Sequence, residues 1–292
     1  SLKPSLWATW RDARGNESGA IDQDCSGVLR VPVLSQSAQP PAPMLPGQKV
    51  TLPSAVRNAG SGHTSQARLR VTNPDASVFD AAPFSLAGGS SSDVTATLTA
   101  PSVAAKAQGE TDEAYRARLQ SADNGPIDFS LALDWTDAAG NAYGPVGGAL
   151  RTTRVLPIVL LSLSAAEMVE AGDTITYRVT AENVGHAEAV ELNLGLTLPG
   201  GQVQPVVLSV GALPPGEKQS AVVNFDVPAD QTEGQLDAQA SVSWKDGAAN
   251  GYGPMSASAA THVLNPNPPP VVNPGPHHTV VMSPTVTLHP PA

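Results

Sequence analysis

Trp135-Thr136-Asp137-Ala138-Ala139-Gly140-Asn141-Ala142-Tyr143-Gly144-Pro145 returns as Trp244-Lys245-Asp246-Gly247-Ala248-Ala249-Asn250-Gly251-Tyr252-Gly253-Pro254. A weaker copy opens the chain: Trp10-Arg11-Asp12-Ala13-Arg14-Gly15-Asn16, with Gly19 at the spacing of Gly144 and Gly253. Each copy follows an alternating apolar strand and reads as the hairpin turn after it. The chain is therefore a repeat protein, and the repeat decides the fold.

The equivalence extends between the tryptophans. Gly47 and Asn58 lie eleven residues apart, as do Gly172 and Asn183; Asn58 to Pro74 and Asn183 to Pro199 are both sixteen. Leu86 to Pro101 and Leu213 to Pro228 are both fifteen. The offset between copies is 125 early, 127 in the middle and 109 at the tryptophan pair, so the first copy carries eighteen extra residues after Pro101. Two copies that align over about a hundred residues with one insertion form a tandem array.

A length of 292 residues corresponds to about two domains. With 28 Pro, 26 Gly and 4% aromatics, many short strands broken by turns are favoured over long helices. The net charge of −10 and the lack of a basic stripe argue against a nucleic-acid partner, because phosphate binding needs clustered Lys and Arg. The longest apolar run, Val155 to Leu163, contains Pro157 and is too short for a membrane span. Cys25 is the single cysteine, which excludes an internal disulfide framework or a zinc cluster. It reads as a lone thiol, the alternative being a partner cysteine in flanking sequence. The chain begins inside a repeat and is read as a fragment, any targeting segment lying upstream.

Residues 1–33 read as the last two strands of a truncated module. Leu6, Ala8 and Trp10 face inward on one strand, and Val28, Leu29, Val31 and Val33 form the return. Between them, Asp22-Gln23-Asp24-Cys25-Ser26-Gly27 matches the first half of a calcium loop. Val33 holds the twelfth position, where an acid is required, so an acidic hairpin loop is the preferred reading.

The first complete module covers residues 30–153, with an insertion at 102–125. Val50, Leu52 and Val56 alternate, interrupted on the inward face by Ser54; Ala67, Leu69 and Val71 follow, then Val94, Ala96 and Leu98, then Phe129, Leu131, Leu133 and Trp135. Strict alternation means one buried and one wet face, as antiparallel sandwiches produce. Pro53 within the first of these runs predicts an edge strand or a bulge. In the insertion, Thr111 is an N-cap residue followed by acids, and Arg116 and Arg118 come later, as a helix dipole prefers. Tyr115 and Leu119 would share a face. The spacing predicts a short helix over 111–120 that caps one sandwich end, with a binding role as the alternative.

The second module covers 154–264. Ile175, Tyr177, Val179 and Ala181 face in; Leu192, Leu194 and Leu196 follow; Ala221, Val223 and Phe225 take the places of Val94, Ala96 and Leu98; and Leu236 to Trp244 repeats the penultimate strand. No Gly/Ser linker separates the modules, so they should abut as a semi-rigid rod. Residues 265–292 read as a Pro-rich linker, then a strand over Thr279 to Leu288, the first of a following module.

The run from Ala171-Gly172-Asp173-Thr174-Ile175-Thr176-Tyr177 to Asn183-Val184-Gly185, followed by Leu196-Thr197-Leu198-Pro199-Gly200, resembles bacterial Ig-like surface repeats. These are the adhesion-related CARDB-like and the DUF11-like conserved-repeat families. Their pattern is a Gly-Asp-x-hydrophobic-Thr-Tyr strand, an Asn-x-Gly turn and a Leu-Pro turn. The first module keeps Gly47, Asn58, Gly60 and Pro74 but has Leu52 in place of Tyr177. The resemblance implies all-β, tandem Ig-like seven-stranded antiparallel sandwiches joined end to end, in a large secreted or cell-surface protein.

Catalysis needs an acid, base or nucleophile held near partners in a pocket. The six histidines (63, 186, 262, 277, 278 and 289) fall at turns or in the tail. His277 and His278 are adjacent and would point to opposite strand faces, which disfavours a metal site. No Gly-x-Ser-x-Gly elbow or phosphate loop occurs. Asp12, Asp137 and Asp246 of the Trp-x-Asp motifs read as turn formers accepting backbone N–H bonds, since a catalytic site is usually built once. No catalytic, cofactor-binding or metal-binding residue is assigned, and no cofactor is expected. Asn16-Glu17-Ser18 fits a glycosylation sequon.

The leading expectation is a non-catalytic structural or adhesive stalk segment, extracellular or at the cell surface. Its partners are neighbouring modules or subunits of the same protein and a cell-surface or matrix component. A filament subunit completing its neighbour through terminal strands is the first alternative. A carbohydrate-binding module beside an enzyme, using Trp7 as an exposed aromatic, is the second.

Overall fold

The computed structural model describes residues 5–11, 14, 17–24, 28–208 and 211–264, and of the strands before residue 28 only the backbone. The tail with its Pro-rich segment, the strand expected over 279–288 and His277, His278 and His289 lie outside the described residues. So do Asp12, Asn16, Cys25 and the side chains of Trp7 and Trp10.

In chain order the strands are β1 (Ser5–Arg11) and β2 (Glu17–Asp24), then β3 (Leu34–Ala38), β4 (Lys49–Asn58), β5 (Thr64–Thr72), β6 (Val78–Asp80) and β7 (Ser91–Thr99). Helix α1 (Asp112–Ala122) comes next, then β8 (Pro126–Asp137) and β9 (Ala142–Thr153). The remainder is β10 (Val159–Ser164), β11 (Met168–Glu170), β12 (Thr174–Asn183), β13 (Ala189–Thr197), β14 (Val203–Pro205), β15 (Ala212–Leu213), β16 (Lys218–Asp226), β17 (Gly234–Lys245) and β18 (Gly251–Leu264). The chain is thus mostly β with a single helix among the described residues.

β1 and β2 form a two-stranded antiparallel hairpin. The return strand is Glu17–Asp24 and not the expected 28–33, where Val28 and Leu29 are exposed and outside any strand. The motif explains the correction, since β9 starts seven residues after Trp135 and β2 starts seven after Trp10. Asp22 and Asp24 therefore lie in an extended strand, paired with Trp7 and Ser5. The loop reading, as acidic hairpin or as calcium site, does not hold for these two residues.

The first unit has two sheets, β3-β4-β7 and β6-β5-β8-β9, around one core. The second has β10-β12-β16 and β11-β18-β17-β13-β14, with β15 paired to β13, around another. Seven strands build the first unit; the second adds β11 and β15. The pair β11–β18 is parallel, and its counterpart in the first unit is the isolated parallel bridge between Met44 and Arg154.

Register is the same in both units, because the same alternation sends the same residues inward. Val50, Leu52 and Ser54 sit opposite Leu98, Ala96 and Val94, and their equivalents Ile175, Tyr177 and Val179 sit opposite Phe225, Val223 and Ala221. Leu69 pairs with Leu133 as Leu194 pairs with Val242. Pro53 departs from expectation: β4 is the central strand of its sheet and runs against β7 without a register shift. The last β3–β4 pair is Ala38 with Ser54, so at Pro53 the strand has a neighbour on one side only. That flank is locally an edge, which tolerates a residue lacking an N–H.

Asn58 and Asn183 end β4 and β12 and are fully buried. The Asn58 Oδ1 accepts from the amides of Val33 and Gly60, and its Nδ2 donates to Gly62 and Leu86. Asn183 does the same with Ile158, Gly185, Ala187 and Leu213. The glycine two residues on is required because the preceding chain crosses it. A Cβ on Gly60 would stand 2.1 Å from the Val31 carbonyl oxygen, and one on Gly185 2.2 Å from that of Leu156.

Candidate interface between the two units

Each Trp-x-Asp hairpin is closed by its own aspartate. Asp137 accepts from the amides of Ala139 and Asn141, from Asn141 Nδ2 and from the Tyr143 hydroxyl. Asp246 accepts from Ala248, Asn250, Asn250 Nδ2 and Tyr252 in the same way. These donors, the Asn141 side chain first, hold the Asp137 carboxyl below its usual range. Burial, reinforced by Asp246, pushes the Tyr252 phenol up. Both aspartates thus act as turn formers with their acceptor sites occupied by the turn.

The tryptophan beneath each turn is fixed in parallel fashion. Trp135 stacks on Tyr143 with ring centroids 6.1 Å apart, and Trp244 on Tyr252 at 6.0 Å. The indole N–H of Trp135 donates to the Pro32 carbonyl and that of Trp244 to Pro157, 3.3 and 3.1 Å away. Each indole therefore ties the hairpin to the segment by which the chain enters its unit.

What differs is what covers the hairpin. On the second unit, Asn250 Nδ2 donates to the Pro46 carbonyl of the first unit at 2.8 Å, and the Gly247 backbone lies against Leu45. Helix α1 then reaches across. It begins at Thr111, whose hydroxyl accepts from the Ala114 amide, and it ends two residues later than predicted, at Ala122. Tyr115 and Leu119 are wholly buried, in the core of the second unit and not the first. Burying two such side chains contributes about 1.5–3 kcal/mol each.

Polar contacts frame that apolar insertion. The Tyr115 hydroxyl accepts from the Gly253 amide, Asp112 accepts from the Ser256 amide, and Lys106 bonds both Asp112 and the Pro254 carbonyl. At the far end Asp123 accepts from the Leu156 amide and meets His186 Nδ1 at 2.7 Å. Glu110 and Arg118 brace the helix from within, and the Arg118 bond holds the Glu110 carboxyl down at about 2. The helix thus satisfies part of the exposed edge of β18, whose free N–H and C=O groups would otherwise face water. The sequence singles out Tyr115 and Leu119; the roles of Lys106, Asp112 and Asp123 carry no local signal, because their partners lie over a hundred residues away or in the next unit.

The candidate residues do not converge on a reaction centre. His63 lines an open cleft with Arg30 and Asp137, His186 is at the joint and His262 faces Glu233 at 3.6 Å. Among the described residues no three His, Cys, Asp or Glu side chains gather as a metal site, and no helix is long and apolar enough to cross a membrane.

No protein-family model and no curated protein sequence matches the chain. Among solved structures, the chain is similar to a crystal structure of a CARDB domain from Pyrococcus furiosus in complex with di-metal ions. The match has 17% identity and a TM-score of 0.29, over 37% of this chain and 89% of that one. A red sea bream transglutaminase matches at 12% identity and a TM-score of 0.28, over 79% of this chain and 31% of the enzyme. The YadV chaperone matches at 10% and 0.27, over 78% and 98%. At these scores the likenesses carry no inference about activity.

Proposed function

We propose that the chain is a non-catalytic spacer, a stalk segment of tandem Ig-like sandwiches in an extracellular or cell-surface protein, whose work is to hold what lies at its two ends at a fixed separation and angle. The observation that carries this reading is the joint. Tyr115 and Leu119 leave the first unit and are buried in the core of the second. A linker free to swing needs no such contact, whereas a rod that must resist bending does. The modules at 30–153 and 154–264 are then two links of one array, with the hairpin β1–β2 read as part of a neighbouring link. Asp137 and Asp246, the acids that the repeated motif singles out, have their carboxylates engaged by their own turns, which fits a structural role. Small-angle scattering tests the reading. A particle with two abutting ellipsoids at one interdomain distance is expected; a compact globule, or a broad distance distribution from freely jointed units, overturns it.

A further inference from the structure

Helix α1 is fastened to the second unit at both ends, and the segment that leaves its carboxyl end carries an Asn-Gly dipeptide, Asn124-Gly125. Asp123 is the helix C-cap, and its amide donates to the Leu119 carbonyl. Asn124 follows in the left-handed backbone that ends many helices, with φ of 55°. Gly, Asn and Asp enter that region most readily, so the turn itself favours an asparagine. Gly125 is constrained in another way, because a Cβ there would stand 3.1 Å from the Ala122 carbonyl oxygen.

That pair of residues is chemically unstable. The backbone nitrogen following an asparagine can close a five-membered ring on the side-chain carboxamide, and a glycine offers no side chain to obstruct it. Hydrogen bonds that fix either group prevent the closure, and Asn124 has none of them. It is exposed, and among the described residues neither its carboxamide nor the Gly125 N–H has a hydrogen-bond partner. The chain's other Asn-Gly dipeptide, Asn250-Gly251, shows the contrast. There Nδ2 is tied to the Asp246 carboxylate and to the Pro46 carbonyl, each at 2.8 Å. Gly251 is the first residue of β18, paired with Lys245.

Asn124 also stands between two anchors of the joint. On one side, Asp123 Oδ1 accepts the Leu156 amide at 2.8 Å and Oδ2 meets His186 Nδ1 at 2.7 Å. On the other, the Gly125 carbonyl accepts the Arg154 amide at 2.8 Å. Arg154 and Leu156 belong to the segment by which the chain enters the second unit.

We infer that Asn124-Gly125 is a self-modifying site whose reaction unfastens the carboxyl end of α1. The Gly125 nitrogen bonds to Asn124 Cγ, the Cγ–Nδ2 bond breaks, and ammonia leaves with the proton from the Gly125 amide. One water then opens the succinimide, with no change of oxidation state. Attack at Cγ gives aspartate in an ordinary chain. Attack at the main-chain carbonyl gives isoaspartate, whose backbone is longer by the β-carbon. The lengthened link cannot keep both Asp123 on Leu156 and Gly125 on Arg154. The new carboxylate also lies at the negative end of the helix dipole, which disfavours it. Nothing in this chemistry depends on the stalk reading.

Incubation of the whole chain at mildly alkaline pH tests it, followed by digestion in mild acid and mass spectrometry that separates isoaspartate from aspartate. Asn124 should convert about tenfold or more faster than Asn250, whose two side-chain hydrogen bonds must break first. In urea the two rates should converge, and a difference that persists there overturns the structural cause. A native chain in which Asn124 stays intact, or converts no faster than Asn250, overturns the inference. Isoaspartyl protein, separated from the parent by its added negative charge, should exchange the Arg154 and Leu156 amides about fivefold or more faster, as loss of a hydrogen bond requires. Unchanged exchange there overturns the effect on the joint. Asn124→Gly keeps the left-handed turn and removes the carboxamide, so both amides should hold their starting rate through the same incubation. Loosening of that variant to the same degree would trace the change to another site and overturn the link.

Discussion

The phenolic oxygen of Tyr115, carried on the insertion of the first unit, accepts the backbone N–H of Gly253 in the second at 3.3 Å, and its ring is wholly buried there. Tyr115 is thus a core residue of a unit other than the one in whose sequence it is inserted.

Tyr115→Phe keeps the packing and leaves one amide unpaired, which should cost about 1 kcal/mol. Tyr115→Ala removes the ring and should cost about 3 kcal/mol or more. Hydrogen exchange would place the loss in β18 and β10 of the second unit, with the first unit's β4 and β7 unaffected. Scattering from the Ala variant should show a wider spread of interdomain distances.

Asn58 and Asn183 each hold several buried partners, so Asn58→Ala or Asn183→Ala leaves orphaned amides and carbonyls. A loss of about 2–4 kcal/mol is expected for either in denaturant titration. Gly185→Ala should be comparably damaging, because the Cβ has only backbone to displace.

Ser54 offers the opposite case. It is fully buried, its Oγ has no hydrogen-bond partner, and the residue at the same register in the second unit is Val179. Ser54→Ala should therefore stabilise the first unit by about 1 kcal/mol, read as a rise in its melting temperature.

Acid should loosen the joint early. The Glu110 carboxyl titrates at about 2 in the fold against an ordinary 4.5. A carboxylate depressed on folding contributes stability above its unfolded value and loses it as pH falls towards the folded one. The clamp should weaken between these two values, seen as faster exchange of the Gly253 and Ser256 amides. Glu110→Gln should flatten that pH dependence.

All four tyrosines are raised above their ordinary value: Tyr115, Tyr177 and Tyr252 chiefly by burial, Tyr143 by its bond to Asp137. A phenol raised on folding contributes stability that is complete below its unfolded value, about 10, and falls away above it. Ultraviolet titration should show the three buried phenols un-ionised near that pH in the native protein. Tyr115, Tyr177 and Tyr252 should ionise only with alkaline unfolding, and one of these three titrating freely before it would contradict their burial.

Much of the fold is legible in local sequence because it follows from period and turn chemistry. Alternation over Ile175 to Ala181 sends one face inward whatever surrounds it, and the Trp-x-Asp motif writes its own turn, since the hydrogen bonds to its aspartate's carboxylate come from residues two to six positions on. The spacing of Gly47, Asn58 and Pro74 against their copies carries register as well. Sequence and structure part where the signal is not periodic. Apolar content points the return of the first hairpin to 28–33, although the motif itself puts it at Glu17; Pro53 points to an edge strand, although only one flank of a central strand is open there.

What the sequence determined alone is the unit: its strands, its turns, its inward residues and its repetition, all of which depend on contacts within a few residues or on a pattern copied intact. What the tertiary structure decided is to which unit α1 belongs and which turns are covered. Those depend on Tyr115 meeting Gly253 and on Asn250 meeting Pro46, pairs more than a hundred residues apart, and the burial that joins them leaves no trace in either segment read by itself.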